Sequence, residues 1–276
     1  MSKLSDLRLS VLIDADNVPR KSMKSIMAEI AVYGTPTIKR IYGDWTTPNL
    51  AGWKNILLEN AISPVQQYGY TTGKNSTDSA MIIDAMDILY SGRTDGFVLV
   101  SSDSDFTRLA TRLREAGMKV IGIGEKKTPN PFIVACDKFI YIEVINDNSN
   151  ASEEAEQAPA AGKPTEKARS AARKKTEMPA PENKPAGKQQ VPEDVVQMIA
   201  ASVSDLADED GYAFMGEIGN LLLKKRPDFD PRNFGFQKLT QLIKSLNRFE
   251  IDVRQTNYPH IKHIYLRDKM AKAEDE

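Results

Sequence analysis

Four aspartates have the types and positions that metal chemistry needs: Asp14, Asp78, Asp103 and Asp105. Asp14 ends the apolar run 9–13, Asp103 and Asp105 follow the apolar run 97–100, and Asp78 opens a helical segment between the two runs. The carboxyl ends of parallel strands share one edge of a sheet, where open α/β proteins bind their ligands. Crowded carboxylates repel one another and usually imply a bound cation. The sequence therefore predicts a site for Mg²⁺ or Mn²⁺, the hard ions that all-oxygen ligand sets suit.

The acids at the ends of the two apolar runs could have a structural role, helix capping, instead of a role in metal binding. Asp14 or Asn17 could cap the helix expected after Pro19. Asp105 could cap the helix that follows it, whereas Asp103 lies before that cap position and has no comparable explanation. Asp103 is therefore the acid that the local sequence most strongly marks as functional.

Asp78 stands in a different context, at the start of the helical segment. The dipole of that helix favours an acid in its first turn, which is the structural alternative for Asp78. Lys74, four residues upstream, could steady a phosphate or lower the pKa of a nearby acid. Asp84 lies about 240° around the helix from Asp78, which predicts a structural or supporting role for Asp84.

Short apolar strands alternate with amphipathic helices between residues 8 and 145. Helical spacing is clear where Phe106, Leu109 and Leu113 recur on one face. This alternation predicts an α/β fold with a mainly parallel sheet covered on both faces, although the order of the strands cannot be read. The predicted strands are Leu9–Ile13, Ile38–Tyr42, Val65–Tyr68, Phe97–Val100, Val120–Ile123 and Phe139–Ile142.

The composition changes after residue 145, which predicts the remaining domain organisation. Residues 146–190 are rich in Ala, Pro, Glu, Lys and Gln and cannot bury a core, so they are predicted to be a disordered charged linker. Its basic half could touch nucleic acid, although a plain linker is the preferred interpretation. Residues 191–269 show three helical patterns and then a hairpin pattern, which predicts a small α+β winged-helix domain. Residues 270–276 are a tail, and residues 1–145 are the first domain.

Composition and charge exclude several classes of protein. The single cysteine, Cys136, excludes an internal disulfide, and both histidines lie near the end of the chain. No apolar run approaches the roughly 20 residues of a membrane span, and the amino terminus lacks a secretory pattern, so we expect a cytoplasmic protein. The net charge is −1, but residues 224–272 hold 12 Lys or Arg against five Asp or Glu. That excess makes a polyanionic partner plausible, with a solvated basic surface as the alternative.

The first domain resembles the NYN family, a branch of the PIN-like nucleases. The resemblance lies in Asp14-x-x-Asn17, Lys74-x-x-x-Asp78 and Ser101-Ser102-Asp103-Ser104-Asp105-Phe106, which occur in order and in the strand contexts of the family. This sequence departs from the family pattern between Lys74 and Asp78, where either the spacing is one residue longer or Asn75 replaces a glycine. The resemblance implies a PIN-like fold and a divalent-metal-dependent endoribonuclease. It also implies that the four aspartates hold the metal and that Asn17 and Lys74 assist catalysis.

Residues 191–269 resemble a LOTUS domain, also called OST-HTH, which is a small winged-helix fold. The motifs are Asp210-Gly211-Tyr212, Glu217-Ile218-Gly219-Asn220, Pro227-Asp228-Phe229-Asp230 and Phe234-Gly235-Phe236-Gln237-Lys238-Leu239. The resemblance implies RNA binding, or in some family members a protein partner, and a homodimer is left open. The basic residues that could meet phosphates are Lys238, Lys244, Arg248 and Arg254. Tyr258 or Phe249 could stack on a base, and core packing is the alternative for these aromatic residues.

Three other functions remain open at the level of the sequence. The chain could be an RNA-binding or scaffold protein whose nuclease centre is weak or silent. Asp14-Ala15-Asp16 also fits a HAD-type phosphatase, with Asp14 as nucleophile and Asp16 as general acid, but the expected later acidic motif is missing. A Rossmann cofactor domain is disfavoured, because Gly122-Ile123-Gly124 has no third glycine and follows a late strand.

Overall fold

Six strands of the amino-terminal unit form a single parallel sheet. The structure is a computed structural model of the chain, and it describes residues 6–68, 76–147, 191–255 and 262–270. The strands are β1 (Arg8–Asp14), β2 (Thr35–Gly43), β3 (Ser63–Gln66), β4 (Gly96–Val100), β5 (Lys119–Gly124) and β6 (Lys138–Tyr141). The structure confirms the predicted α/β class, although β3 begins two residues earlier than the apolar pattern predicts.

Helices cover both faces of this sheet, as the continuous apolar strands predict. They are α1 (Met23–Ile30), α2 (Lys54–Asn60), α3 (Ser76–Tyr90), α4 (Thr107–Glu115), α5 (Asn130–Ala135) and a helical segment α6 at 142–147. On one face Leu9, Val11 and Ile13 of β1 pack with α1 and α2, and on the other Leu12 packs with α3, α4 and α5. None of the helices in the described residues is both long and apolar enough to cross a membrane.

The strand order creates the crevice where the site lies. The order is β3-β2-β1-β4-β5-β6, so the chain builds outward in one direction from β1 and in the other from β4. In the β1–β4 register Ile13 lies opposite Val100, so the next residues, Asp14 and Ser101, leave the sheet side by side. Open α/β sheets bind ligands where the strand order reverses, outside the carboxyl ends of the strands. Asp14 and Asp103 therefore flank this reversal point.

Packing explains the paired glycines of β5 without a cofactor. A Cβ on Gly122 would lie 2.5 Å from Cδ2 of Phe139, and one on Gly124 would lie 2.6 Å from the Ser101 carbonyl oxygen. Both distances are far below normal van der Waals contact. Gly122 and Gly124 are needed so that β5 can lie close to Phe139 and to the end of β4.

The carboxy-terminal unit has the expected winged-helix arrangement. It contains α7 (Glu193–Leu206), β7 (Ala213–Phe214), α8 (Met215–Lys225), α9 (Leu239–Leu246), β8 (Phe249–Gln255) and β9 (Lys262–Asp268). The three strands form an antiparallel sheet in the order β7-β9-β8, in which β7 is an addition to the predicted hairpin. Gly235, with φ of 81°, ends the short 3-10 turn Pro231–Phe234 in the left-handed conformation that glycine adopts readily. This glycine lies in the Phe-Gly-Phe motif noted in the sequence.

The two units contact each other along the edge strand β6. The Phe139 amide donates to the Pro227 carbonyl oxygen at 2.9 Å, and the Tyr141 hydroxyl donates to Asp228 at 2.8 Å. Arg232 forms a bidentate pair with Glu29 of α1, at 2.7 and 2.9 Å. An uncovered edge strand presents unpaired backbone groups that promote aggregation. The second unit therefore covers an edge of the first.

The ion pair in this interface is largely withdrawn from solvent. The Arg232 side chain is 17% exposed and the Glu29 side chain is 12% exposed, and Asp230 contacts the same guanidinium at 2.8 Å. Burial raises the pKa of Glu29, but the hydrogen bonds and charge of Arg232 outweigh it, so the net pKa is lowered. A lowered carboxyl pKa means that this stabilisation is present above the ordinary value of about 4 and is lost as pH falls through the folded pKa.

Replacing Glu29 with alanine should weaken the contact between the units. Alanine maintains α1, because it is the best helix former, and Arg232 keeps Asp230 as a partner. We therefore expect a loss of about 1–3 kcal/mol, below the 3–5 kcal/mol typical of a broken buried pair. Calorimetry should show the second unit melting about 5 °C or more below its temperature in the native chain.

The matched control is Asp252→Asn, which breaks the surface pair between Asp252 and Arg254. Those side chains are 41% and 42% exposed, so the change should be below about 1 kcal/mol. Equal melting profiles for Glu29→Ala and Asp252→Asn would contradict a stabilising interface.

Candidate active site

Asp14 is held in one orientation at the carboxyl end of β1. It is 1% exposed, and its Oδ2 accepts hydrogen bonds from Asn17 Nδ2 at 2.7 Å and Ser101 Oγ at 2.8 Å. Its Oδ1 accepts from the Asp16 amide at 3.1 Å. The short helix after Pro19 has no side-chain cap, so neither Asp14 nor Asn17 serves as one. Asn17 instead fixes the carboxylate of Asp14.

Asp103, rather than Asp105, caps the helical segment after β4. Its Oδ1 accepts from the Asp105 amide at 2.9 Å, which makes Asp103 the N-cap of the 3-10 turn Ser104–Phe106. The alternative that Asp105 caps the following helix is wrong, and so is the inference that Asp103 has no comparable explanation, because the segment begins with a 3-10 turn upstream of α4. Its other oxygen, Oδ2, is not needed for this cap, so capping does not exclude a second role for Asp103.

The structure brings three of the four predicted acids together. One carboxylate oxygen from each of Asp78, Asp103 and Asp105 lies within 4.8 Å of the others. Asp78 lies in the first turn of α3, where it is 9% exposed. Asp14 lies beside this cluster and raises the pKa of Asp78 by its charge. Three converging carboxylates offer the hard oxygen ligands that Mg²⁺ and Mn²⁺ prefer, so the residues fit such an ion.

Repulsion within the cluster shows in its acid–base chemistry. Burial first, and then the charges of Asp14, Asp103, Asp105 and Asp16, together raise the pKa of Asp78 to about 6. The pKa of Asp16 is also raised, first by burial and then by Asp14 and Asp44. Carboxylates that disfavour each other's ionised forms gain most from a cation, which removes the repulsion.

Sequence reasoning assigned no role of their own to two residues near the site. Ser101 is fully buried, and its hydroxyl donates to Asp14 while accepting from the Asp103 amide at 3.0 Å, so it joins the ends of β1 and β4. Asp44 directly follows β2 and acts on Asp16 by its charge. The criterion that found Asp14, an acid directly after an apolar strand, also applies to Asp44.

The predictions for Asp84 and Lys74, two residues expected near the acidic site, have different outcomes. Asp84 pairs with Arg40 and with the Tyr42 hydroxyl, away from the three clustered carboxylates, in agreement with the supporting role expected for it. Lys74 lies outside the described residues. Its proposed part in catalysis therefore stays a prediction.

The predicted RNA-binding residues fall into two groups. Lys238 and Lys244 are exposed at the start and in the last turn of α9. Arg248 is bound to Asp268 at 2.8 Å, with side chains only 17% and 9% exposed. Arg254 pairs with Asp252 at 2.8 Å and lies 4.2 Å from the centre of the Tyr265 ring.

Ion pairs within the protein reduce the number of cations in the basic stretch 224–272 that are available to a partner. Each of its five arginines has an acidic partner: Arg226, Arg232, Arg248, Arg254 and Arg267. No acidic group of the described chain lies within ion-pair distance of Lys238 or Lys244. Phe249 is 5% exposed in the core of the second unit, so core packing explains it, while Tyr258 lies outside the described residues. Lysines therefore carry most of the available positive charge.

Comparison with protein families identifies both units. Residues 8–143 match the NYN domain, and residues 188–261 match the OST-HTH/LOTUS domain. The chain thus consists of an NYN domain followed by an OST-HTH/LOTUS domain, as the sequence motifs predict. NYN domains are nuclease-type RNA-processing domains that typically use divalent metals, and OST-HTH/LOTUS domains bind RNA. A nuclease-type domain and an RNA-binding type of domain are therefore joined in one chain.

Two solved structures are similar to parts of the chain. The crystal structure of a protein of unknown function from Vibrio parahaemolyticus is 20% identical and covers 51% of this chain and 96% of its own, with a TM-score of 0.42. The solution NMR structure of an uncharacterized protein from Nitrosomonas europaea is 31% identical and covers 36% of this chain and 92% of its own, with a TM-score of 0.28. No curated protein matches the chain.

The geometry of Asp14 disfavours the phosphatase alternative. A HAD-type mechanism needs Asp14 as an accessible nucleophile, but this carboxylate is 1% exposed and both of its oxygens accept hydrogen bonds. The charge of Asp14 also lies against the Asp78 carboxylate rather than facing an open substrate site alone. The NYN match and this burial both point away from phosphatase chemistry.

Replacing Asp78 with asparagine should stabilise the metal-free protein at high pH. The folded pKa of Asp78, about 6, lies above the ordinary value of about 4, so its ionisation destabilises the fold as pH rises through about 6. In EDTA at pH 8 we expect a gain of about 1–2 kcal/mol, which is less than the full pKa shift implies because solvent screens part of the repulsion. Thermal unfolding at pH 4 should show no gain.

Asp87→Asn is the control, because Asp87 is an exposed acid on the same helix. Its effect should stay within about 0.5 kcal/mol at both pH values, as for most surface substitutions. The explanation fails if Asp78→Asn gives the same change at pH 4 and pH 8.

Proposed function

We propose that this protein is a divalent-metal-dependent endoribonuclease that binds RNA through its second domain. The observation that carries the proposal is the approach of Asp78, Asp103 and Asp105 within 4.8 Å, at the strand-order reversal of an NYN domain. The proposal names RNA as the substrate because both domains belong to families that act on RNA.

In this proposal each acid of the site has its own part. Asp78, Asp103 and Asp105 would hold Mg²⁺ or Mn²⁺, which supplies Lewis-acid stabilisation of phosphoryl oxygens and makes a water more acidic. Asp14 contributes negative charge from behind the cluster, and Ser101 and Asn17 fix its orientation. The Asp103 cap sets the position of Asp105, because it orders the backbone amide of that residue. Positioning of this kind limits the freedom of the ligands before substrate arrives.

The second domain supports RNA binding through the exposed side of α9. Lys238, Gln241 and Lys244 follow one another at intervals of three residues and are exposed, while Leu242 and Ile243 of the same helix are buried. Intervals of three place these polar side chains on neighbouring positions of one helix face. Lysines without internal partners are available to neutralise phosphates, which provide most of nonspecific nucleic-acid affinity.

Cleavage of labelled single-stranded RNA in Mn²⁺ or Mg²⁺ should be lost in Asp103→Asn. Asparagine is as good an N-cap as aspartate, so this change removes charge from the site while keeping the local fold. Metal stabilisation of the transition state is worth several kcal/mol, so we expect the cleavage rate to fall by a factor of about 100 or more. The measurement is the initial rate of product formation on a denaturing gel.

Asp87→Asn again provides the matched carboxylate control and should cleave like the native chain. The nuclease proposal is ruled out if Asp103→Asn and the native chain cleave the RNA at equal rates, or if neither of them cleaves it. The second of these results would favour an RNA-binding protein with a silent centre.

The double change Lys238→Ala and Lys244→Ala should weaken RNA binding in EDTA. The slope of log affinity against log salt is negative, and each lost phosphate contact on a single strand reduces its magnitude by about 0.7. For two lysines we expect a reduction of about 1.4. Affinity at low salt should fall about tenfold, as measured by fluorescence anisotropy. Lys24→Ala with Lys54→Ala controls for net charge. An unchanged affinity and slope would instead assign this face of the LOTUS domain to a protein partner.

A further inference from the structure

A cleft of about 600 Å³ lies between the two domains, outside the acidic site. Three basic side chains of the first domain line it, and two basic side chains of the second lie opposite: Arg114, Lys119, Lys138, Lys224 and Lys225. Asp137 is the one acidic residue in its lining among the described residues. The lining of the cleft therefore carries more positive than negative charge.

Internal partners neutralise only part of this charge. Asp137 lies 3.3 Å from Arg114 and 3.9 Å from Lys119, so two cations share one carboxylate. Lys225 pairs with Asp205 at 2.7 Å, whereas Lys224 is exposed and has no acidic partner among the described residues.

The most enclosed cation of the cleft is Lys138. Burial lowers its pKa, and its ammonium lies 5.6 Å from the centre of the Tyr33 ring. A cleft with low-dielectric walls focuses the field of such charges and attracts anions.

The cleft lies at the amino ends of the parallel strands, and the acidic cluster lies at their carboxyl ends. Lys119 is the first residue of β5 and Lys138 is the first residue of β6, whereas Asp14 ends β1. A strand of six residues spans about 20 Å, which is therefore the scale of the separation. A ligand in the cleft cannot be the phosphate that meets the acidic cluster.

We propose that this interdomain cleft binds the phosphate backbone of the RNA at a distance from the cleavage site. The proposal rests on the proposed action on RNA. Lysine provides a mobile point charge rather than a fixed bidentate fork, which suits successive phosphates of a strand. The exposed Lys119 and Lys224 lie on different domains, so the complete site exists only while the domains are docked. The Glu29–Arg232 pair is thus a positioning element for RNA binding although neither residue lines the cleft.

The test measures binding of labelled RNA to the full chain in EDTA, where no metal-dependent cleavage occurs. A stacked strand rises about 3.4 Å per nucleotide, so an RNA of about 20 nucleotides can reach both sites and one of about four cannot. For Lys119→Glu with Lys224→Glu, affinity for the long RNA should fall tenfold or more, with a salt slope smaller by about 1.4. Affinity for the short RNA should fall by less than affinity for the long RNA, because four nucleotides span only about 14 Å and bring fewer phosphates to the cleft.

Two further variants separate the cleft from general charge and from folding. Lys24→Glu with Lys54→Glu makes the same change in net charge outside the cleft and should bind the long RNA more tightly than the cleft variant. Glu29→Ala should also weaken binding of the long RNA, while its circular dichroism spectrum stays native. Inorganic phosphate, at a concentration equal to that of the RNA phosphates, should not displace the RNA.

The proposal is overturned if the cleft variant binds the long RNA as the native chain does. It is also overturned if the long and short RNAs lose affinity equally, or if inorganic phosphate displaces the RNA. A chain that binds the long RNA through the cleft but cleaves none would refute the nuclease proposal alone. Normal cleavage with unchanged binding by the cleft variant would refute the cleft alone.

Discussion

The hydrogen bond from Ser101 to Asp14 connects the two central strands at the point on which the site depends. It exists because β1 and β4 are neighbours, with Ile13 opposite Val100. The same serine hydroxyl accepts the Asp103 amide, so one buried group fixes an acid from each strand. A buried carboxylate needs such partners, since an unsatisfied buried charge is strongly unfavourable. Local order at the site is therefore a consequence of sheet topology.

The clustered carboxylates of the site lower the stability of the metal-free fold. Asp78, Asp103 and Asp105 lie close together although their charges repel, and this repulsion adds to burial in raising the pKa of Asp78. Capping explains the position of Asp103 and the helix dipole favours Asp78, but neither requires the three carboxylates to converge, and their mutual repulsion opposes it. Groups that oppose one another and persist in a fold are typical of sites built for a ligand. Electrostatic repulsion is thus the physical reason to regard the cluster as functional.

Local patterns predicted the elements and most of the acidic site, but not their arrangement. Apolar runs found the strands, and acids after two of them found Asp14 and Asp103. The strand order was unreadable, because every strand is equally apolar and pairing depends on distant segments. The capping role of Asp103 was missed, because a 3-10 turn precedes α4 and shifts the cap upstream. The partner of Arg232 could not be foreseen either, since Glu29 lies 203 residues away.

The contact between the domains alters what the second domain can contribute. A flexible tether raises the local concentration of substrate but sets no direction for the strand. Docking through Glu29, Arg232 and the edge of β6 instead gives the RNA-binding domain one orientation relative to the sheet. An RNA strand held along such a fixed surface would reach the acidic cluster from a defined side. Because orientation limits the reachable phosphates, the interface could select the position of cleavage without any contact to a base.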